Sequence, residues 1–129
     1  MKYLGIDYGS KRIGVALSDA EGMIAFPRTT ISNNAISLSE LTKLIEEENV
    51  STIVIGDTRA FSGSENPITK ESEEFMGQLQ RATELPIVTA FEVWSSVEAS
   101  RYAPKGHEHD DAAAAAIILQ RYLDMKGTR

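Results

Sequence analysis

The stretch MKYLGIDYGSKRIGVALSD, Met1–Asp19, decides the architecture of this chain. Tyr3, Leu4 and Ile6 form a short apolar run that ends at a carboxylate, Asp7. A tight turn with Gly9 and Ser10 follows, then two cations, Lys11 and Arg12, and then a second apolar run from Ile13 to Leu17. The pattern is that of a hairpin that begins with a buried strand and sets one acid where that strand emerges. A bare buried carboxylate is too costly, so Asp7 must be solvated, hydrogen-bonded or bound to a cation. Lys11 and Arg12 suit a phosphate. An acid that can hold a metal, beside cations that can hold a phosphate, points to phosphoryl chemistry.

Working outward, the remaining residues alternate between short β-branched runs and helical stripes. The reading places strands at Lys2–Asp7, Arg12–Ser18, Met23–Thr30, Thr52–Gly56 and Ile87–Ala90. Ser37 and Glu40 match a capping box, with Ile36 and Leu41 at the staple positions, opening a helix that runs to about Glu48. Leu41, Leu44 and Ile45 supply its apolar stripe. Asp57–Pro67 reads as a polar loop, and Thr69–Ala82 as a second helix with Phe75, Met76 and Leu79 inward. Ser95 and Glu98 suggest a short helix to about Tyr102, followed by a loop from Pro104 to His109. The last helix, Asp110–Lys126, packs through Ile118, Leu119, Tyr122 and Leu123, and Ala112–Ala116 let it approach the sheet closely.

Composition bounds the function. At 129 residues the chain reads as one domain, residues 1–129, large enough for a core without staples. It has no cysteine, hence no disulfide framework and no thiolate metal site. The N-terminus reads as a core strand rather than a leader, and no apolar run reaches the roughly 18 residues of a membrane span, so a cytoplasmic protein is expected. The net charge of −6 is opposite to that of most nucleic-acid binders, so any such binding must use locally clustered cations.

Three strands followed by helix, strand, helix, strand and helix imply a mixed five-stranded α/β sheet flanked by helices, antiparallel early and parallel late. That order matches the ribonuclease H-like fold. Sites in such sheets form at the carboxyl ends of the strands. Three acids fall at such places: Asp7 ends the first strand, Glu92 follows the fifth, and Asp111 opens the last helix. Acids converging on one sheet end suit Mg²⁺ or Mn²⁺, which take hard oxygen ligands. Two such ions about 3.5–4 Å apart stabilise both oxygens of a phosphodiester displacement.

At these residues the chain resembles the YqgF/RuvX-like family of Holliday junction resolvases, some members of which are described as pre-16S rRNA nucleases. Leu4-Gly5-Ile6-Asp7-Tyr8-Gly9-Ser10-Lys11-Arg12-Ile13-Gly14-Val15-Ala16 is similar to the family's opening motif. Ile53-Val54-Ile55-Gly56 with Gly63-Ser64-Glu65 and Pro67 resembles its second motif, and Asp111, Ala114-Ala115 and Ile118-Leu119-Gln120 with Tyr122-Leu123-Asp124 its terminal helix. The resemblance implies a metal-dependent nuclease with Asp7, Glu92 and Asp111 as catalytic metal ligands, acting on structured DNA or RNA. Lys11, Arg12, Arg59 and the Gly63-Ser64 backbone are the expected nucleic-acid contacts, and junction resolution would favour a two-fold homodimer.

The chain also departs from the family pattern. Phe91-Glu92-Val93 replaces the usual Asp-Glu-Arg triplet, Asp57-Thr58 replaces Leu-Pro, and Glu108-His109-Asp110-Asp111 is more acidic than usual. Glu108 and Asp111 are three apart and can share a helix face, as in the related RuvC resolvases, which carry two acids there. Asp57 reads as a loop cap, Asp110 as the cap of the last helix, His107 and His109 as exposed loop residues, and Trp94 as partly packed in the core. Two other classes fit parts of the pattern. One is a non-catalytic nucleic-acid-binding module on the same fold. The other is an actin-like nucleotide phosphotransferase, suggested by the Asp7-x-Gly9-Ser10 turn, although those enzymes close two such domains around a nucleotide.

Overall fold

Side chains alternate along the opening strand, and this alternation divides the molecule into two layers. The computed structural model describes residues 1–57, 67–91 and 111–127. Within them the hairpin forms β1 (Tyr3–Tyr8) and β2 (Arg12–Ser18), followed by β3 (Ala25–Ser32), α1 (Ser37–Glu48), β4 (Thr52–Asp57), α2 (Pro67–Thr83), β5 (Ile87–Phe91) and α3 (Asp111–Gly127). The strands make one sheet in the order β3-β2-β1-β4-β5. β1 pairs antiparallel with β2, and β2 with β3, whereas β4 runs parallel to both β1 and β5. This is the mixed sheet that the element order implies.

Leu4 and Ile6 of β1, Ile13, Val15 and Leu17 of β2, and Ile53 and Ile55 of β4 face α1 and α2, where Leu41, Ile45, Phe75 and Leu79 close a large-residue core. The alternate positions, Tyr3, Ala16, Val54 and Ala90, face α3 and meet Ala115, Ala116, Ile118, Leu119 and Leu123. The two faces differ in reach. Branched side chains hold α1 and α2 at normal packing distance. Small residues on the other face let α3 lie nearly on the backbone of the sheet. A Cβ on Gly5 would come within 2.8 Å of Leu119 Cβ and 2.9 Å of the Ala115 carbonyl. Among the described residues no helix is long and apolar enough to cross a membrane.

Most element boundaries fall within one or two residues of the sequence expectation, and a few local differences have a physical cause. β3 starts at Ala25 rather than Met23, although Met23 and Ile24 are apolar. The Asp19 carboxylate accepts hydrogen bonds from the Met23 and Ile24 amides at 2.7 and 3.1 Å, which ties both residues into the turn. Ladder pairing begins only with Ser18 opposite Ala25. The strand then continues to Ser32, opposite Arg12, and the Asn33 amide extends the contact to the Lys11 carbonyl.

The expected Ser37/Glu40 capping box is absent. The N-cap of α1 is Ile36, with no side-chain cap bond, and Ile36 is exposed rather than stapled to Leu41. Asn34 does the capping work one turn earlier. Its carboxamide oxygen accepts from the Ile36 amide, and its carbonyl accepts from the Ser37 hydroxyl. The first contact is an Asx turn, and the two amides a capping box would use, those of Ser37 and Glu40, donate instead to the Asn34 and Ile36 carbonyls. Finally, Pro67 opens α2 instead of ending the preceding loop, as suits a residue with a preset φ and no amide hydrogen. The short helix expected at Ser95–Tyr102, the loop to His109, Trp94 and Asp110 all lie outside the described residues.

Three stability predictions rest on these contacts. Gly5→Ala forces α3 away from the sheet and should cost about 1–3 kcal/mol in urea denaturation, as overpacking does. Gly77→Ala, inside α2 where the added Cβ meets only Arg81 Nη1 at 3.5 Å, should gain about 0.5–1 kcal/mol. The third concerns Asp19, whose pKa is lowered from its ordinary value, chiefly by the Met23 and then the Ile24 amide bonds. A carboxylate with a lowered folded-state pKa stabilises the fold above its unfolded value and loses that contribution as pH falls through the folded one. The advantage of wild type over Asp19→Asn should therefore be full above about pH 5 and shrink steadily below about pH 4, read from denaturation midpoints across that range.

Candidate active site at the end of the first strand

Asp7 is the penultimate residue of β1 and is half-buried. It sits on the α3 face, because its neighbours Ile6 and Leu4 point into the opposite core and successive strand residues alternate. Its cross-strand partner on β2 is Gly14. Gly14 in turn is the seat of α3. A Cβ there would overlap the Asp111 carbonyl and come within 2.9 Å of Asp111 Cβ. Asp7 and Asp111 are thus brought to one face and one end of the sheet by a single glycine that lies between them in the structure.

The turn beyond Asp7 is held from outside the hairpin. Asn33, just past β3, donates from Nδ2 to the Gly9 carbonyl at 2.8 Å, while its own amide donates to the Lys11 carbonyl at 2.9 Å. Ser10, Lys11 and Arg12 are exposed on this turn. The sequence reading gave both cations to phosphates. In the structure the Arg12 Nε donates to Asp111 Oδ2 at 2.9 Å, an ion pair across 99 positions of sequence. Lys11 remains on the exposed rim of the turn.

β1, β4 and β5 are parallel, with Ile6 beside Ile55 and Ile55 beside Thr89. All three strands therefore deliver their carboxyl ends to the edge that carries Asp7. Glu92 follows Phe91, the last residue of β5, but lies outside the described residues, as do Arg59, Gly63, Ser64, Glu108, Asp110, His107 and His109. Among the described residues no group of three acids, histidines or cysteines could hold a metal ion. Asp7 and Asp111 thus both neighbour Gly14 at one end of the sheet, and Glu92 lies outside the described residues.

Sequence reasoning passed over the role of Gly14. Its signal was present: a glycine inside an apolar strand marks a close backbone approach, and an alanine run at the start of the last helix is its natural counterpart.

The fold is ribonuclease H-like, and comparison with solved structures bears this out. The structure superposes on Thermus thermophilus RuvC in complex with a Holliday junction substrate with a TM-score of 0.63 at 13% identity, covering 99% of this chain and 97% of that one. It superposes on the fowlpox virus Holliday junction resolvase with a TM-score of 0.60 at 11% identity, covering 97% and 99%. Likeness at such low identity speaks to the fold alone. The sequence itself is more specific. The model of the RuvX family, described as Holliday junction resolvase, matches residues 1–125. A protein of Oleidesulfovibrio alaskensis named "Putative pre-16S rRNA nuclease" is 38% identical, over 100% of this chain and 96% of its own. One of the same name from Geobacillus kaustophilus is 36% identical, over 98% and 99%. The chain belongs to the RuvX family of resolvase-like nucleases.

Gly14→Ala should displace the start of α3 and with it Asp111. The expected result is a loss of about 2–3 kcal/mol in thermal or urea denaturation, at the upper end of overpacking costs. Any nucleolytic activity should fall further in Gly14→Ala than in Gly5→Ala, which disturbs the same helix away from Asp111.

Proposed function

We propose that this protein is a divalent-metal-dependent endonuclease that hydrolyses phosphodiesters in structured nucleic acid, either branched DNA or precursor rRNA. The observation that carries the reading is the seating of Asp111 on Gly14, the strand partner of Asp7, beside a turn that bears two cations. Membership of the RuvX family supports the same reaction class.

The donors fit Mg²⁺ or Mn²⁺. Both described acids offer only hard oxygens, and Mg²⁺ characteristically takes one or two carboxylates and fills its remaining positions with substrate phosphate and water. Asp7 and Asp111 would hold the ion, and Glu92, leaving β5 at the same sheet end, would complete the set. When bound, the metal supplies Lewis-acid stabilisation of the charge that builds on the phosphoryl oxygens.

The remaining work belongs to the chain. Hydrolysis adds water to phosphorus, breaks one P–O ester bond and leaves a departing oxygen that takes up a proton. The packing of helix on sheet fixes the backbone that carries Asp7 and Asp111. Lys11 and Arg12 meet the substrate backbone, and Arg59 with the Gly63-Ser64 amides extends that contact. Such contacts position the strand without reading its sequence.

A cleavage panel of four-way DNA junctions and structured RNA with Mg²⁺ or Mn²⁺ tests the reading. Wild type should cleave at least one member. Asp7→Asn should reduce its turnover by about a thousandfold or more, in line with the several kcal/mol that metal stabilisation of transition-state charge contributes. Its fold and nucleic-acid affinity should stay close to wild type. Wild-type turnover by Asp7→Asn would remove the catalytic assignment, and binding without cleavage by wild type would mark a binding module instead.

A further inference from the structure

We propose that Arg12 couples nucleic-acid binding to cation binding at Asp111. In the free protein it neutralises Asp111, and it leaves for a backbone phosphate when substrate arrives. This deepens the nuclease reading above and rests on it.

The backbone on both sides of the ion pair is fixed. Arg12 is the first residue of β2, paired with Ser32 of β3, and Asp111 is the first residue of α3, seated on Gly14. The pair is therefore a consequence of the fold rather than of two free side chains meeting. The Arg12 side chain is nonetheless 56% exposed and that of Asp111 24% exposed. A pair this accessible to water is weak, so a better partner can replace it. The recorded bond uses Nε, and a guanidinium carries five N–H donors suited to bidentate phosphate contacts.

Two cations compete for one carboxylate. While Arg12 holds Asp111, a divalent ion meets an occupied oxygen and a neighbouring positive charge. Once a phosphate takes the guanidinium, Asp111 regains its full charge beside Asp7, and the phosphate contributes further oxygens. Each ligand therefore favours the other, and by linkage the effect is reciprocal. The ion pair keeps the acids compensated in an acidic protein when no substrate is present. Among the described residues Lys11, its neighbour on the turn, makes no such pair, so the coupling is assigned to Arg12 alone.

The test is a double-mutant cycle on the full-length chain, read as affinity for a four-way DNA junction and for an RNA stem-loop, both in EDTA. Removing Asp111's charge relieves phosphate repulsion in any background. It also releases Arg12 when Arg12 is present. Asp111→Asn should therefore tighten binding more in the Arg12 protein than in Arg12→Gln, by a further factor of about three to ten. In parallel, Mn²⁺ alone is titrated and followed by electron paramagnetic resonance. Arg12→Gln should bind Mn²⁺ about three- to tenfold more tightly than wild type, with Arg12→Lys closer to wild type. Thermal denaturation of each variant establishes that it is folded. Additive effects in the cycle, or a Mn²⁺ affinity in Arg12→Gln no tighter than wild type, would overturn the coupling and leave the nuclease reading intact. If wild type bound neither nucleic-acid probe nor Mn²⁺, the nuclease reading would fall, and this inference with it.

Discussion

The contact on which the rest of this structure depends is the backbone-to-backbone approach of α3 to the sheet over Gly5 and Gly14. At Gly5 there is no room for one additional carbon against Leu119 and Ala115, and at Gly14 none against Asp111. This closeness accounts for the small residues of that face: Ala16, Val54 and Ala90 on the strands, and Ala112, Ala113, Ala115 and Ala116 on the helix. It also explains why the opposite face is built differently. α1 and α2 stand off the sheet by the length of Leu, Ile and Phe side chains and can tolerate small adjustments there. α3 cannot, because its limits are set by main-chain atoms. An acid placed at the first residue of such a helix inherits that rigidity, and a metal ligand needs this kind of support from its scaffold.

Much of this fold was legible in the sequence, and the parts that were not have identifiable causes. The hairpin, the five strands and the inward residues of α2 follow from periodicity, because burial on one face of a strand or helix leaves a repeating mark. The start of β3 was hidden because Met23 and Ile24 carry strand-like side chains while Asp19 takes their amides, and backbone partners leave no trace in hydropathy. The capping pattern at Ser37 and Glu40 misled because the Asn34 and Ile36 carbonyls take the two amides that the box would use. At the site, Asp7 and Asp111 were legible as acids at element ends. The packing of Asp111 on Gly14 and the attachment of Arg12 to Asp111 were not. Both depend on where α3 lands, and that placement joins residues nearly a hundred positions apart. Glu92 and the loop of Arg59, Gly63 and Ser64 lie outside the described residues.

The distribution of charge sharpens the functional picture. A net charge of −6 repels a polyanion over most of the surface. The exposed face of α2 adds to this with Glu71, Glu73 and Glu74. In the proposed reading, a nucleic acid is therefore confined to the end of the sheet where Lys11 and Arg12 break the pattern. Its affinity depends on few contacts and falls steeply with salt in proportion to their number.

β3 is one of the two outer strands, and its free edge would ordinarily invite another chain to pair with it. Here the edge is interrupted along its length. Pro27 has no amide hydrogen to offer. The register slips between Val15 and Ala16, so that Arg28 has no ladder partner on β2. At the near end, Gln120 of α3 acts as a surrogate strand. Its side-chain oxygen accepts from the Ala25 amide at 2.8 Å and its nitrogen donates to the Met23 carbonyl at 3.0 Å. The helix that shapes the candidate active site thus also covers part of the β3 edge. If copies of this chain associate, continuation of the sheet through β3 is the mode its backbone is least equipped to support.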